Sequence, residues 1–223
     1  MKACFLSLLV FIIAQLSLVS CTQHNPVSKD SYSPEIRKDV ARKKSFSTKG
    51  IAETQALLSN GDIILRTGND VISSLFAQLN THDQTYSHCG ITFFEKDKWV
   101  VYHSIGGEDN PNEKLRKDPL ETFISSGHNL GYGVCHYPIN SMQEHRLFKI
   151  VDSFYTNGVP FDMQFDLKTD DRLYCAEMVY KAFQKTFNHN KFFTTTTHKG
   201  FTYVSTDNIF VNNMAHILCH IVY

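Results

Sequence analysis

Two runs rich in β-branched and aromatic residues, His88 to Phe94 and Trp99 to Ile105, flank the polar tetrad Glu95-Lys96-Asp97-Lys98, and they constrain this chain more than any other feature. Such a pattern specifies an antiparallel hairpin, which needs further strands and a covering layer to be stable. With the turn centred between Lys96 and Asp97, Gly90 opposes His103 and His88 is its diagonal neighbour. Strand side chains alternate with period two, so both imidazoles then share one face. Tightening the loop to Glu95-Lys96 places His88 directly opposite His103 on that same face, whereas a one-residue slip separates them.

The segments around the hairpin supply the rest of a domain spanning residues 51–223, and 13% aromatic with 20% charged residues suits a real core. A short helix over 51–58 precedes a strand from Asp62 to Arg66. Val71, Leu75 and Leu79 recur at i, i+4, i+8, with Ile72 and Phe76 widening the stripe, and predict a helix from Val71 to Leu79. Gly107 to Pro119 reads as a loop, Leu120 to Ile124 as one helical turn, and Tyr132 to Tyr137 as a strand stopped by Pro138. Leu147, Ile150, Val151 and Phe154 place a helix over Ser141 to Tyr155, ended by Asn157-Gly158. Asn188 to Lys199 is a polar, threonine-rich insertion, and His216 to Tyr223 a closing strand. The expected class is α+β, with a small antiparallel sheet packed against helices.

Cys175 is the residue with chemistry to explain. Ala176, Val179, Tyr180 and Phe183 follow it at helical spacing, which puts the thiol in the opening turn of an amphipathic helix, with Asp170 or Asp171 as its cap. The dipole and unpaired N–H groups there favour thiolate. His88 and His103 are the candidate base and its partner. Cys89 alternates to the other strand face and belongs in the interior. Glu177, two residues past Cys175, cannot share its helical face and reads as structural or as a hydrogen-bond partner in the site wall. Asp62, after Gly61 at a strand start, is either catalytic or a turn or backbone-bonding residue.

Zinc is the competing chemistry, since His88, Cys89, His103, Cys135, His136 and Cys175 are all competent ligands. Paired ligands at short fixed intervals are missing, so neither a metal nor a cofactor is expected. Cys135 and Cys219 are candidates for a disulfide in an oxidising compartment. Net charge is zero, which gives no reason to expect nucleic acid.

Lys2, the apolar run from Phe5 to Leu18, and then Val19-Ser20-Cys21 read as a secretory signal over residues 1–20. The apolar stretch is too short to span a bilayer. Residues 21–50, polar and basic with Pro26 and Pro34, read as a solvated tether. Leu18-Val19-Ser20-Cys21 resembles a bacterial lipobox, which implies acylation of Cys21 and a protein anchored by lipid in the cell envelope, periplasmic or surface facing.

Gly61-Asp62-Ile63-Ile64, then Tyr86-Ser87-His88-Cys89-Gly90-Ile91, then His103, resemble the second half of the NlpC/P60 superfamily of papain-like enzymes. In that superfamily the cysteine helix usually comes first. Here Tyr174-Cys175-Ala176-Glu177-Met178-Val179 comes last, which resembles the circularly permuted branch and its YiiX-like group. The segments Tyr155 to Asp162, Phe165 to Leu167 and Thr206 to Ile209 also resemble that group. The resemblance implies a permuted papain-like fold, a sheet or partial barrel with the nucleophile at a helix N-terminus. It implies Cys175 as nucleophile, His88 as general base and acid, and His103 as the group that orients His88. YiiX-like relatives often carry glutamate at the His103 position, whereas the lecithin:retinol acyltransferase branch uses a second histidine.

The implied reaction is hydrolysis of an amide through a thioester, on cell-wall peptides or N-acyl amino acids, by a monomer. The Cys175 N–H is the first oxyanion donor, with Tyr174 or a residue near Asp62 as the second. Acyl transfer or fatty-amide hydrolysis, and a non-catalytic ligand- or zinc-binding module, are the alternatives.

Overall fold

Lys96 and Asp97 both adopt left-handed backbone conformations, φ 47° and 63°, as the centre of a tight hairpin turn requires. The computed structural model describes residues 50–107, 109–188 and 192–223. The signal segment, Cys21 and the tether up to residue 49 lie outside the described residues.

In chain order the elements are β1 (Ile63–Gly68), α1 (Val71–Ala77), β2 (His88–Glu95), β3 (Lys98–His103), β4 (Arg116–Pro119), α2 (Leu120–Phe123), β5 (Asn129–His136), α3 (Ser141–Thr156), α4 (Cys175–Phe187), β6 (Thr196–His198), β7 (Phe201–Tyr203), α5 (Thr206–Phe210) and β8 (His216–Val222). A further helical stretch covers residues 50–57. One antiparallel sheet has the order β4-β3-β2-β1-β5-β8, and β6 and β7 form a separate small hairpin. Ile91 pairs with Tyr102 and Glu95 with Lys98, the register in which Gly90 comes opposite His103.

The sheet is covered on both faces. Ile63, Leu65, Cys89, Ile91, Phe93 and Tyr102 pack under α3 and α4, which contribute Leu147, Val151, Met178, Val179, Ala182 and Phe183. Ile64, Val101, Tyr132 and Val134 on the opposite face meet Leu120, Phe123 and Ile124. Each large apolar side chain so buried contributes about 1.5–3 kcal/mol, so α4 is held to the sheet chiefly by Met178, Val179 and Phe183.

Several expectations are corrected. Residues 116–119, expected in a loop, form β4: Arg116-Lys117-Asp118-Pro119 pairs with β3 alone, and an edge strand needs no apolar alternation and tolerates proline. The threonine-rich insertion ends in β6, which pairs with β7 just beyond it through a turn at Lys199 and Gly200 in left-handed conformations, φ 49° and 81°. The cap of α4 is Tyr174, because Asp170 instead pairs with Lys181 at 2.7 Å and Lys185 at 3.1 Å. Cys135 and Cys219 are free thiols. Cys135 packs on the helix-covered face and Cys219 against the opposite one.

Candidate active site

His88 Nε2 lies 3.0 Å from His103 Nδ1, and His103 Nε2 lies 3.0 Å from Asp118 Oδ2. The two rings meet edge to face, centroids 5.1 Å apart at 88°. Gly90 makes this approach possible, since a β-carbon there would sit 3.0 Å from His103 Cβ and 2.7 Å from the Tyr102 carbonyl oxygen. His103 is buried, 1% exposed, so its ring has no solvent to turn toward.

The direction of the hydrogen bonds follows from the carboxylate at the end. An ionised Asp118 only accepts, so His103 Nε2 carries the proton and its Nδ1 presents a lone pair. His88 Nε2–H must then donate to that lone pair, which leaves His88 Nδ1 unprotonated and basic. The hydrogen bond from His103 holds the Asp118 carboxyl below its usual range. Burial pushes the His103 pKa down, opposed by Asp118. Burial, and then the positive charge of Arg66, push His88 well below the ordinary 6.5. Both imidazoles are therefore neutral near pH 7, the form that can accept a proton.

Cys175 lies in the first turn of α4, against the β2 residue that follows His88. The β2–β3 pairing stops at Ile91 and Tyr102, and beyond that point the segment entering α4 is tied in by the Ser104 hydroxyl, which donates to the Leu173 carbonyl at 2.6 Å. The Cys175 sulfur meets the Cys89 thiol and the N–H groups of Cys89 and Ala176. Hydrogen bonding from Cys89 first, then those amides and the Arg66 charge, hold the Cys175 thiol below its ordinary 9.0 despite burial. Cys89 moves the opposite way, because its hydrogen bond to Cys175 and its burial disfavour its own thiolate. The peptide that joins His88 to Cys89 thus links base strand and nucleophile.

Two members of the site have no motif signal in the sequence. Asp118 lies on β4, diagonal to His103 across the β3–β4 pair. Arg66 is the direct cross-strand partner of His88, with its Cζ 4.5 Å from the Phe123 ring centroid.

Other candidates take structural positions. Asp62 sits at the opposite end of β1 from Arg66, where it accepts the Ser59 N–H at 2.8 Å and pairs with His136 at 2.7 Å. It is therefore not brought to the site. The Tyr174 hydroxyl accepts the Val204 N–H at 2.8 Å, and its own backbone N–H donates to Glu177 at 3.3 Å, so that N–H is engaged within the helix start. The Cys175 N–H, at the first position of α4, has no intrahelical acceptor. Glu177 is fully buried beside Lys181, at 3.0 Å, and desolvation raises its carboxyl pKa to about 8.

Among the described residues, no group of three or more His, Cys, Asp or Glu side chains is arranged to hold a metal ion. The relay itself fits one poorly: three of its four imidazole nitrogens are taken by one another and by Asp118.

The profile of the permuted papain-like amidases, the YaeF/YiiX or C92 family, matches residues 57–210. The chain belongs to this family. It is 29% identical over 126 residues to the uncharacterized protein YiiX of Escherichia coli (strain K12), an alignment covering 56% of each chain. The chain thus spans little more than half the length of that relative. A crystal structure of metalloprotein yiiX from Escherichia coli O157:H7 has the same fold, with a TM-score of 0.61 at 22% identity, over 74% of this chain and 98% of that one. A permuted papain-like family agrees with the late position of the Cys175 helix in this chain.

Proposed function

We propose that this protein hydrolyses an amide bond by thiol chemistry, with Cys175 as nucleophile, His88 as base and acid, and His103 and Asp118 as the chain that fixes the His88 tautomer. The observation that carries the reading is the relay ending in a carboxylate, which leaves one basic imidazole nitrogen, His88 Nδ1, on the residue next to Cys89, whose thiol and N–H meet the helix-terminal Cys175 sulfur. His88 takes the Cys175 proton, and the thiolate adds to the amide carbonyl. The Cys175 N–H receives the developing oxyanion. Collapse of the tetrahedral intermediate breaks the C–N bond as His88 returns its proton to the leaving amine, giving a thioester. Water, deprotonated by His88, then releases the acid and restores the thiol.

Peptides of the cell wall and N-acyl amino acids are the substrates proposed, since a protein tethered through an acylated Cys21 would meet them at the envelope. That placement rests on the N-terminal sequence alone. The metalloprotein description belongs to the structural neighbour; the relay of this chain offers a free nitrogen suited to a proton rather than a ligand set.

The test is turnover of a panel of muropeptides and N-acyl amino acids by the wild type, Cys175→Ala and His88→Ala, with iodoacetamide as inhibitor. Activity should disappear in Cys175→Ala, fall by about 100- to 10,000-fold in His88→Ala, and be blocked by alkylation. Undiminished activity in either variant would sink the mechanism.

A further inference from the structure

We propose that Arg66 is a positioning residue of this site: pinned to the Phe123 ring across the strand pair from His88, its guanidinium is the fixed positive charge against which both His88 and Cys175 work.

The geometry comes first. Arg66 and His88 are directly opposite on β1 and β2, so their side chains are neighbours on one face of the sheet. The guanidinium stacks on Phe123, 4.5 Å from the centroid, and Nη1 donates to the Phe123 carbonyl at 3.2 Å. The same ring lies 5.6 Å from the His88 ring and 4.9 Å from that of His103. One aromatic side chain therefore fixes the cation and both imidazoles relative to each other.

Asp118 and Asp70 attract the guanidinium and Arg116 repels it. Arg66 Nε is buried without a hydrogen-bond partner. The nearest relay carboxylate, Asp118, pairs with Arg116 at 3.0 Å and with His103. A buried donor left unpaired is costly for a purely structural arginine. His88 faces Arg66 from β1, His103 from β3 and Arg116 from β4. Cys175 faces Cys89 from β2 and Arg66 from β1, with Tyr174 and Glu177 beside it on its own segment. Arg66 is the charged group common to both. Its field lowers the cost of the thiolate and raises that of the imidazolium, so the proton that His88 takes from Cys175 is given up readily to the leaving amine.

This inference rests on the thiol reading above but not on its substrate. The measurement is the pH dependence of Cys175 alkylation by iodoacetamide in the full chain, read by mass spectrometry on the tryptic peptide of residues 173–181, for the wild type, Arg66→Lys and Arg66→Met. In Arg66→Met the midpoint should rise by about one pH unit, and Arg66→Lys should restore most of that shift even though its stacking is poorer. A folded Arg66→Met with an unchanged midpoint overturns the proposal. So does an equal shift in Arg66→Lys and Arg66→Met, which would mark a packing role alone. Should Arg66→Met fail to fold, Phe123→Leu is read instead: it keeps the charge but removes its support, and an unchanged midpoint there is equally fatal. Wild type that shows a depressed midpoint but turns over no amide would remove the hydrolase reading and leave this one standing.

Discussion

Asp118 and His103 are joined at 3.0 Å across neighbouring strands, and that one bond decides which nitrogen of a different residue, His88, is basic. The carboxylate is two hydrogen bonds removed from the proton it controls. Asp118→Asn keeps the shape but offers an N–H that stabilises the opposite His103 tautomer, and the reversal passes to His88. The turnover number should fall about ten-fold or more while KM changes little, because a base in the wrong tautomer affects the chemical step alone. Steady-state kinetics on a chromogenic amide checks it.

Acid should destabilise the folded protein in a defined window. His88 and His103 both have folded pKa values below 6.5 because burial disfavours their charged forms. As pH falls through 6.5 the unfolded chain takes up protons that the folded state refuses, so stability drops from there down to the depressed folded values. Urea midpoints measured at half-unit steps from pH 7.5 to 5 should decline, and His88→Gln should flatten the decline. A curve level across that range would contradict the burial of neutral imidazoles.

Glu177 has the opposite dependence. Its folded pKa of about 8 is above the ordinary 4.5, so the unfolded chain loses its proton first and stability is lost as pH rises from 4.5 through 8. Glu177→Gln preserves an acceptor for the Tyr174 N–H and removes that loss. The melting temperature of the variant relative to wild type should climb between pH 5 and pH 9.

Gly90→Ala should cost more in activity than in stability. Its β-carbon would lie 2.6 Å from Val101 Cγ1 and 2.7 Å from the Tyr102 carbonyl, and relieving that overlap costs about 1–3 kcal/mol. The backbone shift moves His103 away from His88. Thermal unfolding should remain cooperative while turnover falls at least ten-fold.

The hairpin is legible in the sequence because alternation and a short polar turn fix register together, and the register alone carries His88 to His103. The helix of Cys175 is legible through its apolar stripe. Asp118 is hidden for a physical reason: β4 is an edge strand whose four residues, Arg116-Lys117-Asp118-Pro119, show no apolar alternation, so nothing distinguishes it from the polar loop before it. Arg66 is hidden differently. It stands inside a recognisable strand, but its meaning depends on which residue of β2 it faces, and long-range strand pairing leaves no local trace. Asp62 misleads because a carboxylate near a motif glycine looks the same at either end of a strand. The α4 cap went to Tyr174 because Asp170 found cations at Lys181 and Lys185, a tertiary preference that local capping rules do not contain.

The relay is built on one continuous meander, β2, β3 and β4, whereas the sulfur rides on a helix that follows only after β5 and α3. A growing chain therefore leaves the ribosome with its base assembled and its nucleophile still to come. Until α4 docks, Cys175 has neither the Arg66 charge nor the Cys89 hydrogen bonds that lower its thiol pKa, and it reacts as an ordinary cysteine. Reactivity is thus a late product of folding, and labelling of Cys175 serves as a clock for the final docking event.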